Sequence, residues 1–200
     1  TVTVSGGTLG MGTRTDTVSI FNMSSGSITG SGTLTATTYG LSGGTVTANL
    51  GGGTINSSGT VALNGTAAAT TVNVTAGALT LGASSAINSA TVVAISGGSL
   101  TLGASNQIGD AAVTVSSTGT LALGTNSDTV ASVSLTGTGS ITGSTGVLTS
   151  TAAYDMQAGS VSAILGGTAG LNKTTTGTVT LSGANTYTGT TQISAGTLAL

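Results

Sequence analysis

Two hundred residues carry a net charge of −2, from two cations, Arg14 and Lys173, and four aspartates. Gly, Ser and Thr fill more than half of the chain, aromatics are 2%, and Pro, Cys, His, Trp and Glu are absent. Those absences exclude zinc fingers, thiol nucleophiles, disulfides and Ser-His-Asp triads, and two cations leave no footprint for nucleic acid or an anionic membrane.

A Gly/Ser/Thr-rich composition often means disorder. Here the mean hydropathy is +0.46, and aliphatic residues recur at fixed spacing, which a disordered linker has no reason to show. The longest apolar run, Val92-Val93-Ala94-Ile95, is far short of the roughly 18 residues a membrane helix needs. One Phe and three Tyr cannot build the aromatic girdles of an outer-membrane barrel. An ordered chain without direct membrane insertion is expected. It opens on Thr1 with no leader and enters and leaves in mid-repeat. That pattern, with the missing Cys, predicts a segment of a longer exported protein.

In chain order, the first strand phrase is Val4-Ser5-Gly6-Gly7-Thr8-Leu9. Arg14 and Asp16 follow, two residues apart, on one face of a strand and placed to pair. Tyr39 opens a stretch, residues 39–50, that returns at residues 154–165, an offset of 154 − 39 = 115. Between the two copies lies the tightest repeat. Residues 70–90 align with 91–111, so that Val74 meets Ile95, Leu79 meets Leu100, Leu81 meets Leu102 and Ile87 meets Ile108. The next copy continues with Val115, Leu121 and Leu123, with one extra residue in the turn before Leu121. The phrase recurs last as Ile193-Ser194-Ala195-Gly196-Thr197-Leu198.

Each unit holds two period-2 runs only three to five residues long, separated by turns such as Ser96-Gly97-Gly98. Such a unit cannot bury its apolar side alone, but winding stacks it on its neighbours about 4.8 Å away. The predicted fold is all-β: a right-handed parallel β-helix, or β-solenoid, of about 20 residues per coil and roughly ten coils. Its inward columns are Val74/Ile95/Val115, Leu79/Leu100/Leu121 and Leu81/Leu102/Leu123. The expected organisation is a single segment, 1–200, with super-repeat copies at about 1–111 and 112–200. A sandwich of hairpins is the alternative, but it would not need identical columns at a constant offset.

The end of the chain carries Gly170-Leu171-x-Lys173, Gly177-Thr178-Val179-x-Leu181-Ser182-Gly183, Asn185-x-Tyr187-Thr188-Gly189 and Gly196-Thr197-Leu198. This run resembles the passenger-associated β-strand repeat of bacterial autotransporters and very large exported proteins. It departs from that pattern in Thr174-Thr175-Thr176 before Gly177, where a glycine is usual, and in the single Gly189. The resemblance implies a parallel β-helix stalk on a bacterial surface or in extracellular material, and it brings no catalytic residues with it.

Chemistry finds little footing. Asp110 and Asp128 lie about one coil apart, but glycan cleavage also wants aromatic sugar platforms. Four scattered aspartates without a repeated Gly-Gly-x-Gly-x-Asp loop give no calcium cage. Gly51-Gly52-Gly53 lacks the Lys and the helix of a phosphate loop and reads as a turn. Asn22, Asn56, Asn64, Asn73 and Asn172 head Asn-x-Ser/Thr triplets, which arise by chance in this composition. Ice binding would need even outward ranks. Those read as Ala78, Ser99, Thr120, Thr197 and Thr80, Thr101, Ala122, Ala199 are ragged. Tyr39, Tyr154 and Tyr187 are expected to pack turns.

The expectation is therefore a non-enzyme with no catalytic, cofactor or metal residues. It is a structural segment of a bacterial cell-surface or extracellular fibre, a rod that self-associates end to end or laterally. An adhesin passenger that binds glycans or neighbouring cell surfaces is the alternative.

Overall fold

The computed structural model describes residues 1–82 and 87–200; positions 83–86 of the first tight repeat lie outside the described residues. Among the described residues there are 22 strands and no helix, and every strand pairing is parallel. The chain winds into a β-solenoid of about ten turns, about 19 residues apart.

Each full turn has up to three faces. The first face stacks Phe21–Met23, Tyr39–Leu41, Ile55–Ser57 and then Thr71–Val74, Val92–Ile95, Ala112–Val115 and Ser132–Leu135. The second face stacks, among others, Ala78–Leu81, Ser99–Thr101, Thr120–Gly124 and Ser140–Gly143. The alternation does the sorting. In Thr71–Val74, Val72 and Val74 are buried while Thr71 and Asn73 are only half-covered. A fully buried Val or Leu contributes about 1.5–3 kcal/mol by leaving water, and parallel pairing sets each one on its equivalent in the next coil.

The predicted columns Val74/Ile95/Val115 and Leu79/Leu100/Leu121 are direct register partners, and Leu81, Leu102 and Leu123 are all buried. The expected turn at Ser96-Gly97-Gly98 forms, with Gly98 at φ +65°.

Two features depart from a uniform coil. The early strands run on around the corners, with 16 residues in Thr15–Gly30 and 14 in Thr33–Val46, whereas from residue 71 onward strands have three to five. Among the described residues the third face is also interrupted. Thr15–Val18, Thr33–Ala36 and Asn49–Leu50 stack in turn, the ladder ends in a single Leu50–Ala67 bridge, and it resumes as Asp128–Val130, Val147–Ser150 and Ile164–Gly166.

The register near the end corrects one expectation. Thr120 stacks on Ser140, Ser140 on Ser160, Ser160 on Thr180 and Thr180 on Ala199. Ala199 thus belongs to the rank of Thr120, and Thr197 lies on Thr178. The cause is a longer corner. Residues 96–98 separate Ile95 from its second-face strand, whereas residues 174–177 separate Lys173 from Thr178–Leu181. The longer corner leads into an additional inward position, where Val179 stacks on Gly159.

Candidate functional site

The four carboxylates do not converge. Asp16 is exposed, its Oδ1 accepts the Thr17 N–H at 2.8 Å, and no ion pair joins it to Arg14, so the expected pair does not form. Asp155 is half-buried and accepts from Ser134 Oγ at 2.9 Å and from the Gln157 amide. Asp110 is exposed while Asp128 is buried, so the two share no open groove. Among the described residues no group of three or more Asp, Glu, His or Cys could hold a metal ion.

Asp128 instead completes a coil. Its Oδ2 accepts the N–H groups of Gln107 at 2.7 Å and Ile108 at 3.0 Å, and its Oδ1 accepts that of Thr129 at 2.9 Å. Gln107, also buried, receives the Gly103 and Ala104 N–H groups on its side-chain oxygen and donates to Gly82 O at 2.5 Å. Among the described residues no third-face strands pair here, and these side chains work beside the backbone bonds from Ile87 N–H to Gln107 O at 2.7 Å and from Asn106 N–H to Ser127 O at 2.9 Å. Burial pushes the Asp128 carboxyl above the usual range, opposed by those backbone donors. Composition gave no sign of Gln107. The phrase Asp-Thr-Val, shared by residues 16–18 and 128–130, was the available signal for Asp128.

The tyrosines occupy the other corners. The Tyr39 hydroxyl accepts the Ala36 N–H and donates to Leu34 O, both at 2.8 Å. The Tyr154 hydroxyl accepts the Ser150 N–H at 3.0 Å and lies 2.7 Å from Leu148 O and 2.8 Å from Gly166 O. Both rings are fully buried, and burial raises both phenol pKa values. Asn56 and Asn73 hydrogen-bond to each other at 2.8 Å along the first face. Gly51 and Gly53 sit where a Cβ would strike Thr35 Oγ1 at 2.3 Å and Ala36 O at 2.0 Å, so this glycine run is a tight corner. A cleft of about 330 Å³ bordered by Asn49, Thr66, Asn88 and Ser89 has, among the described residues, neither a charged nor an aromatic residue in its lining.

The densest set of special residues lies near the end of the chain. Lys173 follows Met156 in the inward column of the first face and is fully buried. Its ammonium donates to Thr175 O, to Thr175 Oγ1 at 3.4 Å and to Ala195 O at 3.2 Å. The long side chain thus fills the widened corner and ties one coil to the next. Asn185 Oδ1 accepts the Leu165 N–H at 2.9 Å, and Tyr187 packs on Tyr154 with ring centroids 6.0 Å apart. Gly189 passes so close to the coil below that a Cβ would meet Gly170 N at 2.3 Å. Every one of these residues is a device for stacking coils.

Residues 171–200 match the passenger-associated-transport-repeat family. The passenger-associated-transport-repeat and the β-solenoid together fit an autotransporter passenger β-helix repeat. Repeats of this family are associated with autotransporter passengers, which are secreted or held on the cell surface and are typically non-enzymatic. Comparison with curated proteins and with solved structures found no match.

Proposed function

We propose that the chain is a rigid structural segment of a bacterial cell-surface or extracellular fibre protein and that its rods self-associate. One observation carries this reading: parallel ladders run from coil to coil over apolar columns, and only Arg14, Asp16, Asp110 and Asp155 of the six charged side chains lie outside the core. Tension along the rod loads many backbone hydrogen bonds together, and the near-absence of surface charge removes repulsion between neighbours.

Electron cryomicroscopy and small-angle scattering test the proposal. Rods with a coil spacing near 4.8 Å, roughly 50 Å long for ten coils, are expected, and they associate as concentration rises. A compact globular particle would overturn the rod. Rods that never associate and bind glycans instead would move the reading to an adhesin.

A further inference from the structure

Resting on the rod reading, we infer that the second face is the lateral contact surface and that its partner is the same face of a second copy of this chain. The three faces differ in what they present. The first face carries Asp155 and Gln192 outward, with Ile20 and Val92 about 40% exposed beside them. Among the described residues the third face has no paired strands between Ala67 and Asp128. The second face has neither defect. One outward rank runs Ala78, Ser99, Thr120, Ser140, Ser160 and Thr180. Beside it runs Thr80, Thr101, Ala122 and Thr142. Both ranks are free of charge, and no side chain in them is longer than threonine's.

This chemistry is self-complementary. A hydroxyl both donates and accepts, so a Ser/Thr surface can satisfy a copy of itself, as a surface of one charge cannot. Hydroxyls already pair along the rank, with Thr120 Oγ1 and Ser140 Oγ 2.9 Å apart, and Ala78, Ala122 and the threonine methyls lie between them. Short side chains let two sheets approach to about 10 Å. Strands of four residues and ten coils give a face of roughly 13 by 48 Å. Two such faces bury about 1,200 Å², the lower end of a specific interface. Every further coil adds to that contact, so weak coil-level contacts sum along the rod.

The chain has no cysteine, so single cysteines report the contact cleanly. Thr101→Cys lies on the second face near mid-rod, and Thr114→Cys lies outward on the first face at similar height. Under mild oxidation of the full chain, Thr101→Cys is expected to form disulfide-linked pairs at least tenfold faster than Thr114→Cys. Thr101→Lys with Thr142→Lys is expected to return the paired cross-section in small-angle scattering to that of a single rod. Thr114→Lys with Ser134→Lys should leave it paired. Unchanged circular dichroism melts show that the variants fold. Equal cross-linking from both faces, or single rods at all concentrations, overturns the lateral face while leaving the rod intact. Loss of the rod shape itself would take the proposed function with it. Adsorption of the second face to ice or an insoluble polysaccharide, with no pairing of rods, would also overturn the second copy as its partner.

Discussion

Two corners of this solenoid solve one problem by different chemistry. Around Tyr154 a phenol crosses the core, meets the Ser150 N–H and the Leu148 and Gly166 carbonyls, and the third-face strands persist on either side. Around Gln107 there is no tyrosine. An amide and the Asp128 carboxylate collect backbone groups instead, beside a backbone bond from Ile87 N–H to Gln107 O at 2.7 Å, and among the described residues no third-face strands pair there. A coil can change shape provided its buried N–H and C=O groups find partners. The tyrosine corner also adds apolar volume and no charge. The aspartate corner holds an ionisable group in a dry site, so it is expected to be the weaker and the more sensitive to pH.

The largest effect should come from breaking the tyrosine corner. Tyr154→Phe keeps the ring but strips the partner from Ser150 N and two carbonyls, at a cost of about 2–4 kcal/mol. Tyr39→Phe should cost a similar amount, since its hydroxyl serves Ala36 N and Leu34 O in the same way. Urea midpoints measure both, and a loss below about 0.5 kcal/mol for either would show that the hydroxyl is not needed there.

Next comes the aspartate corner. Asp128→Ala leaves the Gln107 and Ile108 N–H groups unpaired and should cost about 2–3 kcal/mol. The pH dependence has a definite sign. Because the folded pKa lies above the unfolded one, the folded chain takes up its proton first, so this group adds stability as pH falls from neutral through the folded value. The gain is complete below the ordinary carboxylate range. Asp128→Asn, which keeps an acceptor, should flatten that part of the stability profile between pH 7 and pH 4. An Asp128→Asn profile as steep as that of the parent chain would place the titrating group elsewhere.

A third way to sharpen the contrast is Lys173, a buried charge that, unlike Asp128, faces acceptors alone. Lys173→Met retains most of the volume but leaves Thr175 O and Ala195 O without the ammonium, a loss of about 1–3 kcal/mol. Hydrogen exchange should speed up in Thr191–Ile193 and Thr197–Ala199 before it does in the middle coils. Uniform acceleration along the whole rod would contradict a local clamp. The same inward column holds Ser57, whose buried hydroxyl has no hydrogen-bond partner among the described residues. Polar residues inside this core are therefore not equally well placed.

The columns were legible because alternation and a fixed offset carry the same information: Val74, Ile95 and Val115 could stack in no other way once the coil length was known. The corners were not. Lys173 reads as a surface charge unless Leu171-x-Lys173 is taken as an inward alternation, and only the widened corner gives its ammonium a place. Gln107 belongs to no periodic pattern, because its work is to end hydrogen bonds that the pattern leaves open. The late register was misplaced for a related reason. The phrase Gly196-Thr197-Leu198 repeats Gly7-Thr8-Leu9 in letters, but it stacks on a coil already displaced by the long corner at 174–177, so Leu198 lies on Val179 and not in the column of Leu121. Letters recur with descent, whereas register follows the length of the turn.

That distinction yields the smallest and cleanest prediction. Ser117 adopts φ +51° in a turn where its counterpart one coil on, Gly137, has φ +68°. An L-residue with a Cβ is disfavoured in that region by roughly 1–2 kcal/mol, a penalty glycine does not have. Glycine gives back part of the gain through its freer unfolded chain. Ser117→Gly should therefore raise stability by about 0.5–1 kcal/mol, whereas Gly137→Ser should lower it, and paired thermal melts would measure both. If both substitutions destabilise, the Ser117 side chain must hold the turn by a contact that outweighs its strain. The turn would then be set by side-chain chemistry, as at Gln107, and not by backbone geometry.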